Sequence, residues 1–525
     1  MQAPTLVLVS SITARGELDS YSEDFAQVKL SESLALGYLK AYFSANHPEW
    51  RVITINPMVP PITIDEVARL ALGHQPVLVG ISLVHQWHRN FALGLARRIR
   101  SLDNSIHITI GGVYPTSDWA GMLRLGSGLF DSVCRGEGEE TLHELALALL
   151  SNSNWRNVPG IAYMKEGTPC FPNTRRRIQD LTTLPFPDRS QLDGVVSAGG
   201  VIQVEGSRGC NAACIFCDMR QTGWIARPAD HIARELEVLT KSHPGSPVWF
   251  IDNMFIGFGP DKIDRIKSLI CEIKKRDIKI QFSFQDRAEN IDESLLRELK
   301  KSGLNTIYVG IESFSDRALR RWKKGVSADT NKRALAVLKK LRIFAQIGFI
   351  AFDRSTSLEE LSENLDGLKQ AASNNPFLHL YNMNELIPYS GTFLAETYQE
   401  PSERELQESP AGKESFADRA ISRFKDRSWS YLTWLWPVTR TIFAHFDQRE
   451  FQRMVSPVIR AKNQQLIKTL EVLFSETLAH SSDAGLEETY RRCRRETRNA
   501  LRSSMRRLGS STGAEALSAA IESLE

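Results

Sequence analysis

Over the first three quarters of the chain, apolar residues come in short runs separated by amphipathic stretches. In the first 150 residues these runs lie at 5–9, 51–55, 77–81, 106–110 and 131–134. Each has the length of a buried strand, and the stretches between them follow a helical period. Residues 31–46 and 90–102 are two such helices, the second with Phe91, Leu95, Ile99 and Leu102 on one face. Strand–helix alternation with short links predicts a doubly wound parallel sheet covered on both faces. Ligands of such sheets bind beyond the carboxyl ends of the strands. Those ends here are Ser10-Ser11, Ser82-Leu83-Val84, Gly111-Gly112 and the run from Arg135 through Gly136 to Glu139. Glycines there allow close approach of backbone to a bulky ligand, or simply a tight turn.

Residues 151–196 read as a connector, with a small hairpin around Lys165-Glu166-Gly167 and a proline-broken segment at 184–189. Residues 197–395 alternate again. Strands are predicted at 201–205, 247–252, 278–284, 306–311, 345–351 and 377–382, with helices between them. Six βα units in one sheet predict a partial barrel, whose chemistry would sit at the carboxyl ends of its strands. Residues 396–525 lose strand character and read as a helical domain. An aromatic group there (Trp429, Tyr431, Trp434, Trp436, Phe443) is either core packing or a lid. Arg491, Arg495, Arg498, Arg502 and Arg506 share a helix face that is either solvated or an anion or peptide site.

At 525 residues the chain is long enough for about three domains. A net charge of +3 on that length leaves no strong nucleic-acid footprint. No apolar run reaches the ~20 residues of a membrane helix, and the first strand begins without a signal-like segment. Seven cysteines, an odd number, argue against a secreted disulfide framework. The expected compartment is the cytoplasm.

Three of those cysteines change the picture. Cys210, Cys214 and Cys217 stand at C-x3-C-x2-C directly after the strand at 201–204. Thiolates at this density can wrap a soft metal centre. Three ligands on a cubane cluster leave one iron open to bind a substrate, as an open zinc position does. A zinc loop is the other reading, although no second C-x2-C is present to complete it.

With Phe216 before the third cysteine, this loop resembles the signature of the radical S-adenosylmethionine (SAM) superfamily. The preceding Ser207-Arg208-Gly209 resembles the subgroup with a cobalamin-type domain in front. The strand ends at Ser82 and Leu83, at Gly111 and Gly112, and at Gly136 resemble that cobalamin domain. No Asp-x-His-x-x-Gly follows the first strands, so the resemblance supplies no histidine beneath cobalt; His85 and His88 are expected to be packing or surface residues. The resemblance covers residues 76 to 395. It implies a 4Fe-4S cluster on Cys210, Cys214 and Cys217, with SAM on its open iron. It further implies SAM contacts by Asp252 and Asn253 after the second barrel strand, Arg287 after the third, Glu312 and Ser313 after the fourth, and Gly348 in the fifth. Structural ion pairs are the alternative for Asp252, Arg287 and Glu312.

The activity implied is that of a cobalamin-dependent radical SAM methyltransferase. SAM would be cleaved reductively to a 5′-deoxyadenosyl radical, and a methyl group passed to an unactivated carbon. Ring contraction or cyclisation without net methylation is one alternative; a non-catalytic corrinoid sensor is another. The partners implied are a small-molecule or peptide substrate and an external one-electron reductant of the flavodoxin or ferredoxin type.

Overall fold

β1 (Thr5–Ser10) is buried along its entire length, and a strand buried on both faces must be covered by helices on both sides. Its alternate residues enter two separate cores. Val7 and Val9 pack with Ile81, Phe91, Leu95 and Ile99. Leu6 and Leu8 pack on the other face with Leu36, Phe43 and Leu142. The computed structural model describes residues 3–11, 30–380, 383–398, 419–445, 449–479, 483–505 and 512–524. It divides into two compact units, the first holding 1–204 with 388–400, the second 205–387 with 401–525.

The first unit continues with α1 (Leu34–Asn46), β2 (Arg51–Ile55), α2 (Ile64–Gly73), β3 (Leu78–Ser82), α3 (Arg89–Leu102) and β4 (His107–Gly111). There follow α4 (Trp119–Leu125), β5 (Ser132–Cys134), α5 (Glu139–Leu150), β6 (Ile161–Lys165) and β7 (Thr168–Cys170). The sheet order is β2-β1-β3-β4-β5-β6-β7. The strands β1 to β5 pair in parallel, as the alternation predicts. The hairpin expected in the connector is present, but it extends this same sheet: β6 runs antiparallel to β5, and β7 to β6. The segment 151–196 thus packs within the first unit. The strand order reverses between β1 and β3, which makes their carboxyl ends the crevice where such sheets bind ligands.

β8 (Ile202–Val204) ends the first unit's long segment and runs directly into the cysteine loop. In the second unit come α6 (Ala229–Ser242), β9 (Pro247–Phe250), α7 (Lys262–Lys275), β10 (Gln281–Arg287), α8 (Glu293–Lys301) and β11 (Leu304–Glu312). After them stand α9 (Asp316–Arg321), α10 (Ala328–Leu341), β12 (Phe344–Phe352), α11 (Leu358–Ala372), β13 (Leu378–His379) and β14 (Asn384–Glu385). β9 to β13 are parallel neighbours in sequence order, and β14 pairs with β12. This is the predicted partial barrel. The expected capping box of α11 is also present, with Ser357 and Glu360 satisfying each other's backbone amides. The last predicted strand is shorter than expected, and Tyr381 and Asn382 lie outside the described residues.

After α12 (Phe393–Tyr398) the remaining elements are helices: α13 (Arg419–His445), α14 (Arg449–Leu478), α15 (Asp483–Met505) and α16 (Thr512–Glu522). The aromatic group is largely packing. Tyr431 is fully buried with its hydroxyl 2.6 Å from Thr497 Oγ1, and Trp429 donates to the Met383 carbonyl at 3.0 Å. Much of the arginine face is committed too. Arg491 pairs with Glu487 and Arg502 with Glu522, while Arg498 donates to the Leu524 carbonyl. Arg506 lies outside the described residues. Among the described residues no helix is long and apolar enough to cross a membrane.

Candidate active site

The cysteine loop is anchored before it begins. Asp252, just after β9, accepts from the Gly206 amide at 2.9 Å and from the Ser207 hydroxyl at 2.5 Å. Arg265 on α7 closes the same corner, donating to the carbonyls of Gly206 and Phe255 at 2.8 and 2.7 Å. Asp252 is 1% exposed, and burial raises its pKa against the pull of Arg265 and Ser207. Both carboxylate oxygens are engaged. In these contacts Asp252 fixes where the loop leaves the sheet.

Within the loop, Cys210 and Cys214 are buried and Cys217 half-buried. Burial pushes the Cys217 thiol up to about 12, with Asp218 adding to it, and raises Cys210 as well. Such thiols ionise only when a metal or a cation compensates. Arg287, the last residue of β10, supplies a cation. Its Nη1 lies 3.2 Å from Cys214 Sγ, its Nε meets Glu289 and its Nη2 the Lys324 carbonyl. Burial opposes the charge on Arg287, but Glu289 and Cys214 outweigh it and hold the guanidinium protonated. Cys214 adds to the rise at Cys210, and both add to the rise at Cys217. Yet among the described residues no three His, Cys, Asp or Glu side chains converge on a single ion. Three thiolates from one loop, one per iron, are the ligands a 4Fe-4S cluster with one open iron takes, so the donor set fits it. Phe216 stands edge-on to Trp322 at 6.4 Å, and the Ile215 amide donates to the Trp322 carbonyl at 3.0 Å. Those contacts hold the loop against the turn after α9.

The ends of β11 and β12 form the opposite wall. Glu312 is the last residue of β11, at φ 62°, in the left-handed region that non-glycine residues seldom occupy. Lys324 lies 3.0 Å from its Oε1. A Cβ on Gly310 would meet that Glu312 oxygen at 2.7 Å and Lys324 Nζ at 2.8 Å. On Gly348 it would meet the Tyr308 hydroxyl at 2.8 Å and Glu312 Oε2 at 3.1 Å. A side chain at either position would therefore displace the ends of Glu312, Lys324 or Tyr308 from where they lie. Ser313 follows Glu312 at the same strand end. It is fully buried and donates to Asn364 Oδ1 at 2.8 Å, tying β11 to α11. Asn253 is half-buried beside Asp252. Lys324 was missed by the sequence reading: one lysine after Trp322-Lys323 carries no spacing signal.

In the first unit, the predicted strand-end residues come together along β3, β4 and β5. The Leu83 amide donates to the Gly111 carbonyl at 2.7 Å, and Ser11 to the Ser82 carbonyl at 2.9 Å. Gly112 has φ 104°, and a Cβ there would strike the Leu83 carbonyl at 2.3 Å. The fold itself demands that glycine. Gly136, at φ 89°, has nothing within 4 Å of a built Cβ, and its amide donates to Thr116 Oγ1 at 3.0 Å. It is the exposed backbone at which a bulky ligand has room. His88 is buried with Nδ1 3.1 Å from Ser11 Oγ, and burial lowers its pKa to about 4. It is a packing histidine, as expected. His85 stacks on Trp87 at 4.4 Å. The segment after Pro388 folds onto this loop: Ser390 donates to Gln86 Oε1 at 3.1 Å, and Tyr389 lies 5.9 Å from Trp87.

Comparison with known proteins agrees with both halves of this arrangement. A B12 binding domain model matches residues 30–146, and a Radical SAM superfamily model matches residues 204–365. The chain is 27% identical to 4′-phospho-dehydrooxetanocin synthase of Priestia megaterium over 396 residues, which span 70% of this chain and 51% of that protein. It thus matches about half the length of that relative. It is 26% identical to an uncharacterized methyltransferase of Pyrococcus horikoshii over 373 residues, 69% of this chain and 77% of that one. Its fold is similar to that of the cobalamin-dependent S-adenosylmethionine radical enzyme OxsB with aqua-cobalamin and S-adenosylmethionine bound. That likeness has a TM-score of 0.76 at 19% identity, covering 99% of this chain and 83% of that one. The chain thus carries a B12 binding domain followed by a Radical SAM superfamily domain, and the cofactors these two domains imply are cobalamin, a 4Fe-4S cluster and SAM.

Proposed function

We propose that the chain methylates an unactivated carbon of a small molecule. The observation that carries this reading is the buried three-thiol loop with the Arg287 guanidinium on Cys214 and the Glu312–Lys324 pair beside it. When bound, the cluster and SAM supply a 5′-deoxyadenosyl radical for hydrogen abstraction, and cobalamin supplies a methyl group. Cys210, Cys214 and Cys217 hold the cluster. Arg287 keeps a fixed positive charge on one of its thiolates. Glu312 accepts from the amino or hydroxyl groups of SAM, and Lys324 meets its carboxylate. Phe216 and Gly348 shape the rest of that seat, with Asn253 at its edge. In the first unit the loops at Ser82, Leu83, Gly111, Gly112 and Gly136 cradle the corrin. His88 is engaged with Ser11 and is not assigned a role toward cobalamin. An external one-electron reductant completes the system. Resemblance to a methyltransferase supports this reading.

The test is anaerobic reconstitution with iron, sulfide, hydroxocobalamin and SAM under a strong reductant. The expected products are 5′-deoxyadenosine, S-adenosylhomocysteine and a substrate heavier by one methyl group. Replacing Cys210, Cys214 or Cys217 by Ala should abolish iron–sulfur absorption and 5′-deoxyadenosine together, whereas replacing the exposed Cys271 should spare both. A second reading, ring contraction or cyclisation without net methylation, is favoured by resemblance to a synthase and to a cyclase. It predicts 5′-deoxyadenosine without S-adenosylhomocysteine or any gain in product mass.

A further inference from the structure

The registers of the second sheet assign a common face to alternate residues. Ser283, Gln285 and Arg287 on β10 lie beside Thr306, Tyr308 and Gly310 on β11. Tyr308 and Gly310 in turn pair with Gln346 and Gly348 on β12, and Gln346 with His379 on β13. Tyr308 and Glu312 both reach the space over Gly348. This is therefore the face that carries Arg287 and the cysteine site, the barrel interior. Barrel interiors are usually filled by branched apolar side chains; here Trp249 and Phe344 share the face with a run of polar residues, Ser283, Gln285, Arg287, Thr306, Tyr308, Gln346 and His379.

Helix α14 supplies further polar groups. Gln452 donates to Thr306 Oγ1 at 3.0 Å, Asn463 to the Leu378 carbonyl at 2.6 Å, and Lys462 to the Leu380 carbonyl. The two carbonyls lie on the outermost strand of the barrel sheet and just past it, so α14 stands where a further strand would have paired. Lys462 and Asn463 are fully buried. Two features go beyond edge-capping. No carboxylate pairs with Lys462 among the described residues, and its charge acts on His379 on the interior face. In addition, Gln346 Nε2 and Asn463 Oδ1 are buried with no hydrogen-bond partner among the described residues. Buried polar atoms are nearly always paired, and a lone buried cation is the most costly exception.

We propose that Lys462, with the unpaired Gln346 amide N–H, binds an anionic group of the substrate, a phosphate ester or a carboxylate. The carboxy-terminal helices would then select substrate at the floor of the barrel. That the bound anion belongs to the substrate rests on the radical SAM reading above; the anion site itself does not.

The experiment uses the full chain with its cluster reconstituted, melted with and without inorganic phosphate or acetate, below pH 7. The wild type should gain several degrees in Tm with at least one anion, and which anion acts tells phosphate from carboxylate. Lys462→Met should melt at or above the wild type without anion, because it removes an unpaired buried charge, and should lose the anion-induced gain. Gln346→Glu places a carboxylate on the same face and should likewise raise the anion-free Tm and abolish the gain. No gain with either anion in the wild type, or an undiminished gain in both variants, would overturn the proposal. Should Lys462→Met fail to fold, the Gln346→Glu result decides alone. Absence of SAM cleavage in the wild type would sink the functional reading and leave the anion result standing.

Discussion

The Arg287 guanidinium lies 3.2 Å from the Cys214 sulfur. The contact joins the end of β10 to the cysteine loop and places a permanent positive charge against a proposed cluster ligand. Glu289 and the Lys324 carbonyl hold the other guanidinium nitrogens, so the arginine has little freedom to swing away. Hydrogen bonds to cluster sulfurs and local net charge are two of the levers by which a protein sets cluster potential.

Arg287→Met should therefore leave cluster assembly possible but shift the cluster's reduction midpoint to a more negative value. Removing a cation beside the thiolate disfavours adding an electron. Arg287→Lys should shift it less, since the charge is kept and only the fixed fork geometry is lost. Electron paramagnetic resonance during a redox titration reads the midpoint directly. An unchanged midpoint in the Met variant would mean the arginine only shapes the loop.

Two of the candidate glycines of the first unit, Gly112 and Gly136, should respond differently to alanine. At Gly112 the new Cβ meets the Leu83 carbonyl at 2.3 Å with φ 104°. Gly112→Ala should cost roughly 3 kcal/mol or more and lower the urea midpoint whether or not cobalamin is present. At Gly136 the space is open and only the backbone preference is lost, about 1–2 kcal/mol. Gly136→Ala should fold, and any loss of hydroxocobalamin on gel filtration then reports on the ligand itself. Equal destabilisation of the two variants would contradict the geometry.

Asp252 should behave as a positioning residue. Asp252→Ala leaves the Gly206 amide and the Ser207 hydroxyl without their acceptor and Arg265 without its counter-charge. The expected cost is about 3–5 kcal/mol, visible in the urea midpoint, with a lower yield of intact cluster. The fraction that does assemble its cluster should bind SAM with wild-type affinity by equilibrium dialysis. A variant of normal stability with weakened SAM binding would restore the carboxylate to the ligand.

Local spacing carried much of this molecule. The cysteine loop, the glycines at strand ends, and Arg287 and Glu312 at the ends of β10 and β11 are legible because alternation fixes which residues end strands. What escaped is tertiary. Asp252 and Ser313 stand at strand ends as expected, but their side chains turn toward the Gly206 corner and Asn364, a choice that no pattern along the chain records. The hairpin at 161–170 reads as a hairpin, yet nothing local says which sheet it joins. Lys324 and Lys462 look like any lysine in a polar stretch. One meets Glu312 twelve residues back; the other reaches a carbonyl eighty-two residues back.

Lys462 gives the last prediction. Burial lowers its pKa from 10.5 to about 7. Between those two values the unfolded chain carries a proton on this group and the folded chain does not, so stability rises with pH across that window. Below about 7 both states are protonated and the folded state bears the full cost of the buried charge. Above 10.5 both are neutral and the cost is gone. The gain across the window should be on the order of a few kcal/mol. Urea midpoints taken at the two ends should climb in the wild type by more than in Lys462→Met, which has no group to titrate there. An anion bound at Lys462 would lift the low-pH end and flatten the climb. Parallel climbs in the two proteins would place the titrating group elsewhere and remove the unpaired cation from the barrel floor.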